Sequence, residues 1–573
     1  MIAGKMRGIG AVLLVFGTLG LDTVVTGSEI ADSAMRGDLV ALRTLLGGGG
    51  DVNTSQADGA TALHWAAHNG NLELTALLLE AGANVSTTNL LGISPLSLAC
   101  SNGDAAIVEL LLNAGADPNE ALPNGETALM MAARTGNIDI LNLLIDRGAE
   151  VNARENLRET TPLMWAVDYG NPKAAQTLIN RGADVSSHSK TVLQGRRPYL
   201  APTPKERIDE AVRGTGQAGT AIPINLGDGT PITSTNQSVL LAGAGVAEVS
   251  QIAPRRRPRE LTGGLTSLIF AARRGDLESA RVLIDAGADV NQVSEFGWTA
   301  LLAATQNRYY LLGKFLLDHG ADPSIGNKGG WTPLYIATDN RNIESGDYPT
   351  RRADMDHFQY IELLLDHGAD PNARMKSSTE TRTIFTHQWL REDGATPFLR
   401  AAQSSDTALM QLLIQSGADP LIATENGTTP MMVASGIGWV EGVTYEWSEE
   451  QNIDTINWLL ELGADVNAVD RDGRSALHGA AHKGRNEVVK ILADHGADLG
   501  HRDFGSRDSI HNLLGVTWQA IDYADGLVRV GVQSSIGHPA TAALIRELMV
   551  DADLPVPPEG RTLESICVTD LCR

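Results

Sequence analysis

Four histidines and two cysteines carry the spacings in this chain that could do chemistry. His64 and His68 stand four residues apart, as do His478 and His482. On a helix that spacing brings two imidazoles to one face, where they could share a zinc ion. No glutamate lies within either pair, so the His-Glu-x-x-His pattern of zinc proteases is absent. Near the C-terminus, Cys567 and Cys572 bracket Val-Thr-Asp-Leu. That pair admits a disulfide, a redox couple or a metal clip. It has neither the Cys-x-x-Cys of a redox motif nor the Cys-x-x-Cys-His of covalent haem attachment. No Gly-x-x-x-x-Gly-Lys-(Ser/Thr) loop is present to cradle a phosphate, and no Gly-x-Ser-x-Gly elbow to present a nucleophile. Nothing singles out a catalytic residue, a metal site or a cofactor, and the chain reads as a non-enzyme.

Composition narrows the classes further. The 573 residues include 69 Asp and Glu against 45 Lys and Arg, a net charge of −24. Nucleic-acid binding needs clustered cations, so an acidic chain of this kind is not expected to bind it. Hydrophobic residues make up 43%, which excludes full disorder, and three cysteines exclude a disulfide-dense scaffold. Lys5 and Arg7 precede a mostly apolar run from Gly8 to Leu21, followed by Val25-Thr26-Gly27. A basic start, a short apolar run and small residues at a cleavage point read as a signal peptide over residues 1–27. The mature chain is then expected to be exported, periplasmic or extracellular, with no membrane span after cleavage.

The elements that must position any site repeat along the chain. The phrase Gly-x-(Ser/Thr)-x-(Leu/Phe/Met) starts at Gly59, Gly92, Gly125, Gly264, Gly297, Gly330, Gly394, Gly427 and Gly473, and Thr161-Pro162-Leu163 keeps it with Glu159 in place of glycine. The spacings are 33, 33, 34, 105, 33, 33, 64, 33 and 46. A fixed period of this length marks a repeat array. Each unit reads as a short helix capped by Ser or Thr, a break at a glycine, a second helix, and a stop at Gly-Ala-(Asp/Asn/Glu).

Asp58-Gly59-Ala60-Thr61-Ala62-Leu63-His64-Trp65-Ala66-Ala67 and Asp472-Gly473-Arg474-Ser475-Ala476-Leu477-His478-Gly479-Ala480-Ala481 resemble the ankyrin repeat. The resemblance covers 28–187 and 263–550. It implies an all-α ankyrin-repeat solenoid of about ten good repeats plus degenerate N- and C-terminal caps, near Ser28–Ala57 and Trp518–Val550. It also implies that the first histidine of each pair belongs to the Leu-His of the repeat and makes structural hydrogen bonds. As a whole the chain looks like exported bacterial ankyrin-repeat proteins that end in a cysteine pair. In an exported chain Cys567 and Cys572 are expected to form a local disulfide within the tail, 551–573. Cys100, which takes the place of the second alanine of an Ala-Ala pair, is expected to be buried and unreactive.

Three spacings carry insertions. The 105 leaves about 72 residues over that of one repeat, in a Gly- and Pro-rich insert at 188–262 between an N-terminal and a C-terminal block. From 189 to 262 it holds ten Lys and Arg and six Asp and Glu, with Arg255-Arg256-Arg257-Pro258-Arg259 near its end. It reads as a flexible loop, or as a basic arm that docks or recognises. Further insertions fall near 343–356, 376–393 and 436–450.

Stacked repeats leave a concave face formed by first helices and hairpin tips. One column on that face reads Trp65, Leu98, Met131, Trp165, Phe270, Ala303, Ile336, Arg400, Val433, Gly479. Three residues further on, the next column reads His68, Ser101, Arg134, Asp168, Arg273, Gln306, Asp339, Gln403, Gly436, His482. The first column reads either as packing between repeats or as the anchors of a protein-recognition groove. Trp298 and Trp331 fall in hairpin tips, where rings meet solvent or a partner. The expected function is non-catalytic binding of an unnamed protein partner by a monomer, through Trp65, His68, Met131, Arg134, Trp165, Asp168, Phe270, Arg273, Trp298 and Trp331. The alternatives are a secreted effector binding a host protein and a periplasmic accessory protein for an enzyme. From another class comes an enzyme with its site in the inserts at 188–262 and 343–393.

Overall fold

The computed structural model describes residues 29–193, 261–342, 352–377, 390–439, 445–504, 517–528 and 536–561. The expected signal at 1–27, the insert between 194 and 260, and Cys567 with Cys572 lie outside the described residues. The chain falls into two compact units, Met1–Glu150 and Val151–Arg573.

Each repeat contributes an inner helix followed by an outer one. In the first unit the pairs are Glu29–Arg36 with Leu39–Gly47, Ala62–His68 with Leu72–Glu80, Pro95–Asn102 with Ala105–Asn113, and Ala128–Thr135 with Ile138–Asp146. The second unit opens with Pro162–Asp168 and Pro172–Asn180, then Ser267–Arg274 and Leu277–Asp285, and Ala300–Gln306 and Tyr310–Asp318. It continues through inner helices Pro333–Arg341, Pro397–Gln403, Pro430–Ser435 and Ala476–Lys483, and closes with the pair Ala520–Ala524 and Pro539–Asp551.

Local chemistry accounts for these boundaries. The Ser or Thr of the repeated phrase caps the inner helix, as where Thr332 Oγ1 accepts from the Tyr335 amide at 3.3 Å. A proline follows at the first helical position in several repeats, where its missing N–H is of no consequence. Gly136 ends one inner helix at φ 73°, a left-handed conformation that costs glycine no steric penalty. Many outer helices are capped by Asn or Asp, for example Asn71, Asp104 and Asp276. The Ala-Ala pairs of the inner helices, such as Ala66-Ala67, Ala132-Ala133 and Ala401-Ala402, are fully buried. Small side chains there let neighbouring inner helices pack closely, which is how a thin unit acquires a continuous core.

Hairpins join successive repeats. Bridging residues are six positions apart in Ser55 to Thr61 and Ala121 to Thr127, but 78 apart in His188 to Thr266. The difference of 72 is the length of the large insertion, so that insertion enters at the tip of an ordinary hairpin. Strand β1 (Thr191–Leu193) pairs antiparallel with β2 (Leu261–Gly263), Leu193 opposite Leu261, and brings its two ends together. The array therefore runs on through this point: Pro162–Asp168 packs on Ser267–Arg274, and Pro172–Asn180 on Leu277–Asp285. The repeats on either side of the insert thus pack on one another as neighbouring repeats do elsewhere.

A second set of bonds runs along the repeats. Asn53 donates to the Gly82 carbonyl and accepts from the Asn84 amide, tying one turn to the next. Asn119, Asn152, Asn291, Asn372 and Asn467 repeat this with Gly148, Gly182, Gly320, Gly417 and Gly496. Asn119 and Asn152 stand in successive repeats, and the equivalent positions elsewhere hold Ser86, Ser186, Ser324 and Leu421.

Candidate functional site

In the first unit, the inner helix Ala62–His68 presents Trp65 half-buried and His68 exposed, their rings edge to face at 5.8 Å. The indole is fixed from the hairpin side. Trp65 Nε1 donates to Gln56 Oε1 at 2.7 Å, and Gln56 Nε2 donates to Asp32 at 2.6 Å. Leu98, Ser101 and Arg134 are half-buried along the same columns, and the tip residues Leu90 and Leu91 are among the most exposed apolar side chains.

The second unit begins in the same way. Trp165 is half-buried, donates from Nε1 to Thr160 Oγ1 at 2.9 Å, and stacks on the exposed Tyr169 with centroids 6.0 Å apart. Asp168 is half-buried, and Arg273 and Arg274 are exposed. Arg274 donates to the Asp168 carbonyl at 2.9 Å, and the Arg273 guanidinium lies 5.5 Å from the Phe270 ring.

From the helix Pro333–Arg341 onward the inner face is covered. The polar column, open or half-open through Gln306, becomes buried at Asp339, Gln403, Gly436 and His482. Arg400, 2% exposed, donates from Nε to Asp339 at 2.7 Å, from Nη1 to Ser404 at 2.9 Å and from Nη2 to the Asn342 carbonyl at 2.9 Å. Arg341 grips both carboxylate oxygens of Asp406, at 2.7 and 3.2 Å. Part of the cover comes from the segment 445–448, which leads into the helix Glu449–Glu461. Its Trp447 lies 4.6 Å from the Arg341 guanidinium and donates from Nε1 to Asn342 at 2.9 Å. Its Glu446 holds Lys483 at 2.5 Å and Arg485 at 2.6 Å. Burial pushes the Lys483 ammonium down against the pull of that carboxylate, and pushes His482 down to about 4. Under the same cover both polar atoms of the Gln403 amide are buried with no hydrogen-bond partner among the described residues.

Several expected contact residues are corrected by this geometry. Met131 and Phe270 are 3% and 6% exposed, so they pack between repeats instead of offering anchors to a partner. Trp331 is buried as well, because its tip is overlaid by the following segment and its Nε1 donates to the Ser377 carbonyl at 3.1 Å. Trp298 is half-buried at its tip. Both ring nitrogens of His64 are engaged, one by Thr61 at 2.8 Å and the other by the Ile93 carbonyl at 2.9 Å. His478 repeats the pattern with Ser475 and the Trp518 carbonyl. Cys100 is fully buried, and burial pushes its thiol far above the usual range.

The covered face was missed by reading columns for anchors, yet it left a trace. Arg400 breaks an otherwise apolar column, and the polar column supplies its counter-ion, Asp339, one repeat earlier. An open polar depression of about 630 Å³ lies at the base of the large insertion, lined in part by Arg154, Glu159, Asp184, His188 and Gln292. Its groups are largely spent on one another: Arg154 donates to the His188 carbonyl at 2.7 Å, and Gln292 reaches the Ser186 carbonyl and the His188 ring, both at 3.0 Å. Among the described residues no group of three or more His, Cys, Asp or Glu is placed to hold a metal ion, and no helix is long and apolar enough to cross a membrane.

A triple ankyrin-repeat family model matches residues 30–121, 96–189, 268–375 and 446–507, and a single-repeat model matches 393–425. The chain belongs to the ankyrin-repeat family. It is similar to the Neurogenic locus Notch protein of Drosophila melanogaster, 38% identical over 88 residues, 15% of this chain and 3% of that protein. It is also similar to the potassium channel AKT1 of Oryza sativa, 41% identical over 55 residues, 10% of this chain and 6% of the channel. The human 2-5A-dependent ribonuclease is 28% identical over 155 residues, 22% of this chain and 21% of that enzyme. The chain thus matches less than a quarter of the length of each of these relatives. The shared part is the repeat array, which supports a protein-interaction scaffold.

Proposed function

We propose that this protein is an exported, non-catalytic scaffold that binds a protein partner on the uncovered part of its inner face. The observation that carries the reading is the change in exposure along the column of the second unit, whose open part matches the column of the first. His68, Ser101 and Arg134 in the first unit, and Asp168, Arg273 and Gln306 in the second, are reachable, whereas Asp339, Gln403 and His482 are not. Half-exposed aromatic rings held rigid by hydrogen bonds, as Trp65 and Trp165 are, suit the anchors of an interface, since little side-chain freedom is lost on binding. Export rests on the basic and apolar N-terminal run.

Capture from the native exported fraction, with wild type and with a Trp65→Ala/Trp165→Ala variant of unchanged melting temperature as baits, tests the reading. A protein retained by the wild type and lost by the variant is the expected result. Retention of the same proteins by both would remove the inner face from the function.

A further inference from the structure

We infer that the surface formed by Trp165, Tyr169, Arg273 and Arg274 takes an acidic peptide segment carrying an aromatic anchor. The inference rests on the scaffold reading above and names the chemistry of the partner for one stretch of the face. Two observations converge on it. The first is local. In a chain of net charge −24, two adjacent arginines are exposed at the end of the helix Ser267–Arg274. Beside them the helix Pro162–Asp168, packed against theirs, carries the half-buried Trp165 stacked on the exposed Tyr169. Arg274 commits one of its five donors to the Asp168 carbonyl, and Arg273 is steadied over the Phe270 ring. Guanidinium groups next to exposed aromatic faces favour carboxylates and further rings over aliphatic or cationic ligands.

The second observation is that the chain itself supplies such a ligand elsewhere. At the ends of later inner helices the segment Tyr445-Glu446-Trp447-Ser448-Glu449-Glu450 lies against the array. Trp447 sits on the Arg341 guanidinium, and Glu446 bridges Lys483 and Arg485. Arg485 also reaches Glu449 at 3.2 Å. An aromatic ring on a guanidinium, with carboxylates on the nearby cations, is thus how the ends of Pro333–Arg341 and Ala476–Lys483 are already occupied. The end of Ser267–Arg274 offers two arginines beside two rings, with no such segment on it among the described residues. A long polyanion is disfavoured by the overall charge, whereas a short segment with a few carboxylates can seat locally.

The test uses the purified full chain and a fluorescein-labelled peptide of residues 445–452, Tyr-Glu-Trp-Ser-Glu-Glu-Gln-Asn, followed by anisotropy. Saturable binding is expected, weakened at least about tenfold in an Arg273→Glu/Arg274→Glu variant that melts like the wild type, largely kept by Arg273→Lys/Arg274→Lys, and reduced by added salt. Absence of saturable binding to the wild type, equal binding by the charge-reversed variant, or tighter binding of a single-stranded oligonucleotide would each overturn the assignment. A display selection of random dodecapeptides separates this from the scaffold reading. Enrichment of acidic and aromatic sequences by the wild type alone supports the assignment. Enrichment of aliphatic or basic sequences overturns it while leaving a peptide-binding scaffold in place, and no enrichment counts against both.

Discussion

Asp339 and Arg400 stand 61 residues apart in the chain and one repeat apart in the fold, and their ion pair closes at 2.7 Å with both side chains withdrawn from water. The pair marks the place where the inner face stops being a surface and becomes an interior. Stacked repeats ordinarily leave that face to solvent. Here Trp447 and Glu446 reach across it, and the cations they meet, with Arg400, are matched by Asp339, Asp406 and Glu446.

Removing one partner of this pair leaves the other charge buried. Asp339→Ala is expected to cost about 3–5 kcal/mol in denaturant unfolding. Gln403→Met, one turn further along the Arg400 helix, removes an amide with no partner and is expected to raise stability by about 1 kcal/mol. Near-zero effects for both would mean that water reaches this face.

The large insertion leaves and re-enters through paired strands, with Leu193 opposite Leu261. Replacing residues 194–260 by Asn-Gly, the preferred two-residue hairpin turn, should preserve the array. Calorimetry is expected to show a melting temperature within a few degrees of the full chain. A large fall would show that the deleted residues hold the repeats together.

Trp65 and Met131 share a column but not an environment. Met131→Ala is expected to cost about 2–5 kcal/mol, as for a buried methionine, with partner capture falling only in step with stability. Trp65→Ala should cost less stability and more capture, because its ring is half-exposed and its hydrogen bond to Gln56 orients it. Parallel losses of stability and capture in Trp65→Ala would assign that ring to packing.

Burial holds His482 at about 4 and His478 at about 3 in the folded chain, against 6.5 when unfolded. Their contribution is fully present above 6.5. As the pH falls below that value the unfolded chain takes up protons that the folded chain refuses, so stability drops by about 1.4 kcal/mol per pH unit for each histidine until the folded values are reached. Urea midpoints at pH 7.5 and 5.0 should show the loss, and His482→Phe should reduce the slope by one histidine's share. An unchanged slope would show that His482 is not held neutral.

Cys100, buried within the Ala-Ala column, should be inert to thiol reagents until the chain unfolds. With Cys567 and Cys572 joined as expected in an exported chain, thiol counting should give none in the native state, one after denaturation and three after reduction. Two reactive thiols in the native protein would refute that pairing.

Helix boundaries, repeat phase and the entry points of the insertions were legible in the sequence because each depends on local chemistry that recurs. Thr161-Pro162, Thr332-Pro333, Thr396-Pro397 and Thr429-Pro430 each start a helix, and Gly136 ends one. The cover was not legible, because it depends on contacts such as Trp447 to Asn342, across 105 residues, made by segments that follow no period. For the same reason Trp331 looked exposed: its tip position is ordinary, and only the chain around Ser377, 46 residues on, buries it.

The asparagine ties between turns also bear on how the array would respond to force. Rungs at Asn291, Asn372 and Asn467 alternate with junctions where Ser324 and Leu421 offer none. Tension along that edge would be shared by bonded couples of repeats and concentrated at the rungless joints between them. From Asn291 to Asn467 the array would then yield in steps of two repeats, like a zip with every second tooth removed.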